Sequence, residues 1–193
     1  MEALGRWLGA TLRGRVLDIG AGDGAIALWL GKQGYLVDAV ESDLDKAQRL
    51  EQARQGLPIV VHPLDLRDFP LIPGTYSLIM AAAVLHFLRP SDLWPLADRL
   101  TESLVAGGLV IAEALTTDDP EAVDLSAAGT DPLEPNTYTS NAPEGLIHFF
   151  EPGELRRVFQ ALEILEYEEF RRSAPEWPGG YRSGATLVGR RGA

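Results

Sequence analysis

Three alternating glycines follow a short apolar segment near the start of this chain. Residues 16–30 read VLDIGAGDGAIALWL, with glycine at positions 20, 22 and 24. Glycine reaches positive φ without steric cost, so such a turn lets backbone N–H groups approach a ligand closely. The apolar residues that follow predict a helix, whose N-terminus adds partial positive charge at the same place. The spacing predicts a ligand site, and it fits nicotinamide dinucleotides, flavin dinucleotides and S-adenosylmethionine alike.

Carboxylates around the glycine turn separate these ligands by charge. Asp18 stands two residues before Gly20, where it would repel the pyrophosphate of a dinucleotide. S-adenosylmethionine has no phosphate and carries an ammonium and a sulfonium group, which an acidic site attracts. Glu41 ends the predicted second strand and is expected to accept hydrogen bonds from ribose hydroxyls. Asp65 follows the predicted third strand, and we expect it either to meet an adenine amino group or to cap the next turn.

One histidine stands where a parallel α/β sheet opens its ligand site. His86 follows the apolar segment YSLIMAAAVL at 76–85, a predicted fourth strand, at its carboxyl end. If S-adenosylmethionine is the ligand, the expected reaction is transfer of its methyl group, an in-line displacement for which alignment and exclusion of water can suffice. An acceptor that carries a proton also needs a base, and imidazole suits that role. His86 is therefore the catalytic candidate, and the alternative is a histidine that packs beside the cofactor.

The elements that must position these residues alternate along the chain. The first five predicted strands cover 15–19, 36–43, 58–65, 76–85 and 107–115. Helical segments lie between them, with Asp43 and Ser91 as expected N-caps. This alternation predicts a parallel sheet covered by helices. Two late strands, 162–170 and 184–190, are joined without a helix and should therefore pair antiparallel.

The segment between the fifth strand and the late strands differs in composition. Residues 116–150 are rich in proline, aspartate, threonine, serine and asparagine. A loop of this length is uncommon in a compact domain unless it covers a site, so we predict a lid. Candidates for an acceptor pocket, each with lid or core packing as its alternative, are Glu113, Tyr138, His148, Phe149 and Arg182.

Composition and charge exclude several classes of function. The 193 residues predict one domain, and the net charge of −11 argues against nucleic acid or an anionic membrane as a partner. The chain has no cysteine, and its three histidines form no metal-ligating pair, so no metal is predicted. The start lacks the layout of a secretory signal and no membrane span is apparent, which makes the cytoplasm the expected location. The expected oligomeric state is a monomer or a homodimer.

The motifs occur in the order and at the spacing of a known family. The sequence resembles class I S-adenosylmethionine-dependent methyltransferases through VLDIGAGDG at 16–24, AVESD at 39–43, HPLDLRD at 62–68, IMAAAVLHFL at 79–88 and LVAGGLVIAE at 104–113. A closer likeness joins AAAVLHFL at 81–88 to HFFEPGELRRVFQALEILEYEEF at 148–170. These two segments are similar to the small methyltransferases of the tellurite-resistance type.

The resemblance implies a fold, a cofactor and a set of binding residues. The implied fold is a three-layer, Rossmann-like α/β domain over residues 1–193, with a lid at about 116–150. Its seven-stranded sheet is mostly parallel, has one antiparallel strand near the edge, and runs in the order 3-2-1-4-5-7-6. S-adenosylmethionine would donate a methyl group to a small-molecule acceptor. Its expected contacts are Asp18, Gly20, Ala21, Gly22, Gly24, Glu41, Ser42, Asp65, Leu66, Ala83 and Val84.

Two alternative functions stay open at the level of sequence. Glu41 also fits the ribose of NAD in an oxidoreductase, although Asp18 and the closing strand pair oppose that interpretation. A protein that binds S-adenosylmethionine without catalysis is the other alternative, because methyl transfer requires no fixed catalytic residue. An ordered lid over the cavity would favour the enzyme, and an open, flat site would favour the binding protein. The acceptor remains open between an oxyanion, a thiol, an amine and a phenol.

Overall fold

A computed structural model describes Trp7, residues 13–140 and residues 145–193. Residues 1–12, where Leu4, Leu8 and Leu12 at helical spacing predict a short amphipathic helix, lie outside the described residues, apart from Trp7. The strands of the described chain are β1 (Arg15–Ile19), β2 (Leu36–Val40), β3 (Ile59–His62), β4 (Tyr76–Ala82), β5 (Leu104–Leu115), β6 (Thr137–Thr139), β7 (Leu146–His148), β8 (Glu163–Ser173) and β9 (Tyr181–Arg190). The described helices are α1 (Ala25–Lys32), α2 (Leu44–Ala53), α3 (Pro90–Ser103), α4 (Pro120–Ala127) and α5 (Glu154–Val158).

Seven of these strands form one sheet, in the order β3-β2-β1-β4-β5-β9-β8. The first five strands pair in parallel, and β9 pairs antiparallel with both β5 and β8. Because β8 and β9 are the sixth and seventh predicted strands, this order confirms the predicted topology. It also brings the carboxyl ends of β1 to β5 to one edge, which is where open α/β sheets bind ligands.

Helices cover both faces of the sheet, as the three-layer prediction requires. Successive residues of β1 point to opposite faces. Val16 therefore joins the core cluster that holds Leu30 of α1 and Leu50 of α2. Leu17 joins the opposite cluster, which holds Leu93 of α3.

The two predicted helix caps have different outcomes. Asp43 caps α2 as predicted, because its side chain accepts the N–H groups of Asp45 at 3.0 Å and Lys46 at 3.1 Å. The prediction for Ser91 is wrong, since α3 begins at Pro90 and Arg89, two residues before Ser91, takes the cap position. Proline suits the first helical residue because its φ is already fixed near the helical value.

The 116–150 segment is not the irregular loop that its composition suggests. It contains α4 and the antiparallel pair β6–β7. Asp119 caps α4 by accepting the N–H of Glu121 at 3.2 Å, and Pro120 follows it in the first turn. Aspartate, proline and glutamate in this order are a helix-start signal. Residues 171–183, which join the two late predicted strands and are expected from their sequence to form a second lid or rim loop, form a shorter loop than expected, since β8 and β9 both extend into this segment.

No helix in the described part of the chain is both long and apolar enough to cross a membrane.

Candidate functional site

The glycine turn joins β1 to α1 as predicted, and its three glycines differ in what an added side chain would contact. Gly20, Gly22 and Gly24 have φ values of 66°, 57° and 86°. A Cβ atom on Gly20 would stand 2.5 Å from Cγ2 of Val84, and one on Gly24 would stand 2.2 Å from Cδ1 of Leu50. A Cβ atom on Gly22 would meet no atom within 4 Å. Packing therefore requires glycine at 20 and 24, and the turn is open to a ligand at Gly22.

Glu41 ties the glycine turn to the end of β2. The N–H of Gly22 donates to Oε2 of Glu41 at 2.7 Å, and the N–H of Asp43 donates to Oε1 at 2.8 Å. The side chain is buried, with 6% of its residue surface exposed. Each carboxylate oxygen accepts two hydrogen bonds, so each keeps capacity for one more donor. The carboxylate is thus fixed in a geometry that suits two ribose hydroxyls.

Asp18 is a buried carboxyl group with an unsatisfied oxygen. It is 2% exposed, and its Oδ2 has no hydrogen-bond partner among the described residues. Burial raises the pKa of Asp18 to about 7; the N–H of Ala27 in α1 opposes the rise and the charge of Glu41 adds to it. An unpaired buried carboxylate is costly unless a cationic group compensates it. Asp18 therefore fits a ligand that brings an ammonium to this turn.

The end of β4 closes against the glycine turn. Ala83 is exposed and has a φ of 56°, which is unusual for a residue other than glycine, and its N–H donates to the carbonyl of Glu113 at 3.0 Å. Val84 follows and packs on Gly20. A left-handed alanine costs roughly 1–2 kcal/mol, and such strain concentrates at functional sites. The structure thus brings Ala83 and Val84 beside the turn, where the sequence predicts a cofactor contact.

A cavity of about 480 Å³ opens at the carboxyl ends of β2, β3 and β4. This volume lies within the range of small-molecule sites. The lining residues are Ser42, Asp43, Leu44, Asp45, Asp65, Arg67, Phe87, Leu88, Arg89, Asp92 and Leu146. We call this space the cofactor cavity. Among the predicted cofactor contacts, it is lined by Ser42 and Asp65, while Leu66 is packed in the core at 7% exposure.

The cofactor cavity has apolar walls that the sequence analysis missed. Leu44 is 67% exposed at the start of α2, although a leucine is normally buried. Phe87 adds an aromatic ring from the turn after β4, and Leu146 adds an aliphatic side chain from β7. Leu44 was detectable in the sequence as an apolar residue directly after an N-cap. Leu146 had no local signal, because only the fold brings the lid segment back over the sheet edge.

Asp65 takes part in a local cap and an ion pair. Its Oδ1 accepts the backbone N–H of Arg67 at 2.8 Å, and its Oδ2 accepts Nη2 of Arg67 at 2.7 Å. The hydrogen bond from Arg67 lowers the pKa of Asp65 against the effect of partial burial. The capping alternative is therefore observed, and an adenine contact stays a prediction that must share this carboxylate with Arg67.

His86 is buried and neutral. It is 3% exposed, its ring lies 4.4 Å from that of Phe87, and its Nδ1 has no hydrogen-bond partner among the described residues. Burial lowers the pKa of His86 to about 3, and the nearby charges of Arg182 and His148 lower it further. A neutral imidazole keeps one N–H and can accept a hydrogen bond at its other nitrogen, but with this pKa it does not take up a second proton at neutral pH. His86 therefore fits a role in positioning an acceptor better than a role as a general base.

The predicted acceptor-pocket residues mostly have structural partners. Nδ1 of His148 lies 2.9 Å from Oγ1 of Thr137, and its Nε2 lies 3.2 Å from Oε1 of Glu154, so His148 ties the lid segment to α5. Glu113 accepts a hydrogen bond from Arg172 at 2.9 Å. Tyr138 and Phe149 pack within the cluster of the lid segment. Arg182 pairs with buried Asp119 at 3.0 Å.

Residues 16–108 match the sequence profile of a family described as a methyltransferase domain. This match, over 93 of the 193 residues, agrees with the sequence resemblance to class I S-adenosylmethionine-dependent methyltransferases. The matched stretch contains the glycine turn, Glu41, Asp65 and His86, so the sequence family and the observed geometry refer to the same edge of the sheet.

The chain matches only part of the length of each of its sequence relatives. Ribosomal RNA small subunit methyltransferase C of Chromohalobacter salexigens is 31% identical over 118 residues, which are 59% of this chain and 35% of that protein. The chain spans between about a third and a half of the curated relatives it matches.

Solved structures share the methyltransferase fold. TehB from Haemophilus influenzae has a TM-score of 0.74 at 19% identity, over 99% of this chain and 62% of that chain. The 1,6-didemethyltoxoflavin-N1-methyltransferase of Burkholderia thailandensis, solved with 1,6-didemethyltoxoflavin and S-adenosylhomocysteine, has a TM-score of 0.72 at 18% identity, over 100% of this chain and 76% of that chain. At these identities the likeness concerns the fold.

Proposed function

We propose that this methyltransferase domain transfers the methyl group of S-adenosylmethionine to a small-molecule acceptor. The observation that carries the proposal is the buried Asp18, whose Oδ2 is unpaired beside a glycine turn that is open at Gly22. A pyrophosphate at this turn would be repelled by Asp18 and by Glu41, while an ammonium is attracted by both. This charge arrangement favours S-adenosylmethionine over NAD.

The remaining contacts are inferred from the lining of the cofactor cavity and from Glu41, which directly precedes the lining residue Ser42. Glu41 would accept the ribose hydroxyls, and Leu44 and Phe87 would flank the adenine ring, because they supply the exposed apolar walls. Asp65 would meet the polar edge of the ring. The bound cofactor supplies an activated methyl group on a sulfonium. The contacts hold it in one orientation, which lowers the entropic part of the barrier to an in-line displacement.

The lid segment supports catalysis over simple binding. Leu146 of β7 lines the cofactor cavity, and Nη1 of Arg89 at the cavity wall donates to Oε1 of Glu134 in the lid segment at 2.6 Å. An ordered lid at this edge excludes water from the reacting atoms. That is the arrangement by which an enzyme differs from a protein with an open cofactor site.

A small molecule is favoured over nucleic acid as the acceptor. The name of one sequence relative points to ribosomal RNA as a second candidate. However, affinity for nucleic acid depends on lysine and arginine contacts with phosphates, and this chain has a net charge of −11. The acidic balance therefore supports the smaller acceptor.

S-adenosylhomocysteine is expected to raise the melting temperature of the protein, and NAD is not. A ligand at one hundred times its dissociation constant stabilises the folded state by about 2.7 kcal/mol, which a thermal-shift assay resolves. The same assay with NAD at equal concentration is the control. A shift with NAD alone would support the oxidoreductase, and no shift with S-adenosylhomocysteine would overturn the proposed function.

Glu41→Ala is expected to weaken S-adenosylhomocysteine binding by roughly 1.5–3 kcal/mol, the typical contribution of hydrogen bonds to a charged group. Isothermal titration calorimetry measures the change. Glu51→Ala is a suitable control, because Glu51 lies on the exposed surface of α2 and pairs with Arg54. Equal affinities for the Glu41→Ala protein and the unchanged protein would remove Glu41 from the site.

A further inference from the structure

The strand β8 forms one outer edge of the seven-stranded sheet, and among the described residues no strand lies on its open side. It covers 11 residues, whereas edge strands that avoid pairing are usually short, contain proline or are interrupted by a bulge. β8 contains no proline, and its irregularity lies near its start, between Ile164 and Glu166. The side chains at 168, 169, 171, 172 and 173 are exposed. Residues 167–173 therefore form a regular and uncovered edge.

The hydrogen bonds between β8 and β9 show which residues of β8 point outward. The N–H of Ala174 donates to the carbonyl of Gly180 at 3.0 Å, directly after the last paired residues of the two strands. Hydrogen-bonded residues alternate along an antiparallel strand, so the even-numbered residues from 166 onward direct their backbone groups to β9. The odd-numbered residues 167, 169, 171 and 173 therefore present their N–H and C=O groups at the open edge.

The charges along this edge have an order that is complementary to itself. Charges of one sign would repel a second copy of the strand, but this part of β8 reads EEFRR, centred on Phe170. If two such strands pair antiparallel about a twofold axis at Phe170, Glu168 lies opposite Arg172 of the second copy. Glu169 lies opposite Arg171 in the same way. Each contact occurs twice by symmetry, so opposite charges face each other throughout the shared edge, which stabilises such a pair.

Other positions of the twofold axis bring like charges together. The odd-numbered residues of the two copies must face one another to exchange hydrogen bonds, so the axis has to pass through a residue, which then meets its own copy. An axis at Glu169 or at Arg171 places two like charges opposite each other. Phe170 is uncharged, and an axis at this residue avoids the repulsion. The charge order therefore favours one register.

Contacts within the chain leave these four charged side chains able to bind a second copy. Glu168 and Arg171 have no ion pair within the part of the chain that the structure describes. Glu169 accepts two hydrogen bonds through Oε1, at 2.7 Å each, and its Oε2 accepts none from the described residues. Arg172 donates from Nη1 to Glu113 at 2.9 Å and keeps further N–H groups, since a guanidinium carries five.

We propose that the protein forms a homodimer through β8, in which the two sheets join antiparallel about a twofold axis at Phe170. The odd-numbered residues supply the backbone hydrogen bonds, and the four charged residues beside Phe170 supply the ion pairs. Residues 167–173 are neutral as a segment, and physiological salt screens exposed charges beyond about 8 Å. The net charge of −11 on the whole chain therefore opposes this contact only weakly. The inference does not depend on the proposed function, and either can fail without the other.

Sedimentation velocity over a range of protein concentrations tests the dimer, and the unchanged protein should form a dimer whose fraction rises with concentration. Two double variants reverse the charges on one side of Phe170: Glu168→Arg with Glu169→Arg, and Arg171→Glu with Arg172→Glu. Each should raise the dissociation constant of the dimer roughly tenfold or more, because like charges then face each other. An equimolar mixture of the two double variants should dimerise again, since each carries the charges that the other requires.

The double variant Glu102→Arg with Asp131→Arg is the matched control for net charge. Both residues are exposed and lie outside β8, so this variant should dimerise as the unchanged protein does. Circular dichroism of every variant checks that it is folded. A protein that stays monomeric at every concentration would overturn the inference, and so would a dimer that persists in both charge-reversed variants.

A single cysteine at the axis locates the interface, because the chain has no cysteine of its own. In the proposed register residue 170 meets its own copy as a non-hydrogen-bonded pair, whose Cα atoms lie about 4.5 Å apart, within the range that a disulfide spans. Mild oxidation should cross-link the Phe170→Cys dimer. Glu168→Cys should not cross-link, because residue 168 faces Arg172 of the second copy. Cross-linking at 168 that equals that at 170, or a Phe170→Cys dimer without a cross-link, would contradict the register and with it the inference.

Discussion

Asp18→Asn is expected to stabilise the free protein at pH 8 and to weaken S-adenosylhomocysteine binding roughly tenfold or more. Removing the charge of Asp18 relieves an uncompensated buried carboxylate, whose Oδ2 has no partner among the described residues. The same change removes the attraction for the ammonium of the ligand, which is a charged hydrogen bond of about 1.5–3 kcal/mol. Urea unfolding and calorimetric titration measure the two effects.

The dependence on pH distinguishes this explanation from a general packing effect. Burial raises the pKa of Asp18 from 3.8 to about 7, so the folded protein holds a proton that the unfolded chain has already lost between these values. The contribution of Asp18 to stability therefore falls as pH rises from about 4 to about 7, by up to about 4 kcal/mol. The stabilising effect of Asp18→Asn should vanish at pH 4 and reach its maximum above pH 7.

Ligand binding should follow the opposite trend, because the ligand ammonium requires the ionised carboxylate. S-adenosylhomocysteine is expected to bind about tenfold more tightly at pH 8 than at pH 6, since a group with a pKa near 7 goes from about a tenth to about nine tenths ionised over that interval. In the Asp18→Asn protein the affinity should not change across this range. Equal pH profiles in the two proteins would contradict the role of Asp18.

Asp38→Asn is the control for Asp18→Asn, because Asp38 is also a buried carboxylate but has hydrogen-bond partners. It is 4% exposed and receives Nη1 of Arg15 at 2.8 Å, with Nε2 of His62 at 3.0 Å. Burial alone would raise its pKa, but the hydrogen bonds from Arg15 and His62 lower the pKa of Asp38 overall. Asp38→Asn should therefore destabilise the protein, because it breaks an ion pair between buried Asp38 and half-exposed Arg15. The two substitutions, identical in chemistry, should have opposite signs at pH 8.

Alanine substitutions in the glycine turn should separate folding from binding. Gly20→Ala places a Cβ atom 2.5 Å from Cγ2 and 2.6 Å from Cβ of Val84, at a φ of 66°. The left-handed backbone and the overpacking together predict a loss of about 2–5 kcal/mol. Gly22→Ala meets nothing within 4 Å, so it should cost only about 1–2 kcal/mol, the strain of the backbone.

Ligand binding should be affected more by Gly22→Ala than by Gly20→Ala, which is the reverse of the expected effects on stability. The Cβ atom of Gly22→Ala points into the open side of the turn, where the ligand is expected, so S-adenosylhomocysteine binding should weaken at least tenfold in a folded protein. Urea unfolding followed by calorimetry measures both quantities. Undiminished affinity in Gly22→Ala would place the ligand elsewhere, and an unaffected unfolding free energy in Gly20→Ala would contradict the contact with Val84.

Much of the fold was predictable because local chemistry and tertiary structure agree in the first half of the chain. The apolar segments of β1, β2 and β4 are buried on both faces, as a central parallel strand requires. Asp43 was predictable as a cap because its side chain bonds with the backbone two and three residues ahead. The 116–150 segment was misjudged because its composition suggested a loop, whereas Asp119 and Pro120 start a helix.

The candidate site also has a part that the sequence predicts and a part that only the tertiary structure determines. The glycine turn, Asp18 and Glu41 are close in sequence or stand at adjacent strand ends, so their proximity follows from strand order alone. The acceptor side depends on contacts across long separations. Arg182 was a candidate for an anionic acceptor until the fold paired it with Asp119, which is buried and 63 residues away in sequence.

The sequence by itself determined the glycine turn and the sign of the charge around it, because residue type and spacing specify both. The order of the strands was predicted from the resemblance to a known family. Tertiary structure decided which glycine leaves the turn open, which carboxylates are paired, and which apolar side chains line the cofactor cavity. Those properties depend on packing between distant segments, as when Val84 fills the space beside Gly20 and Leu146 returns over the cofactor cavity. Spacing along the chain does not encode such contacts.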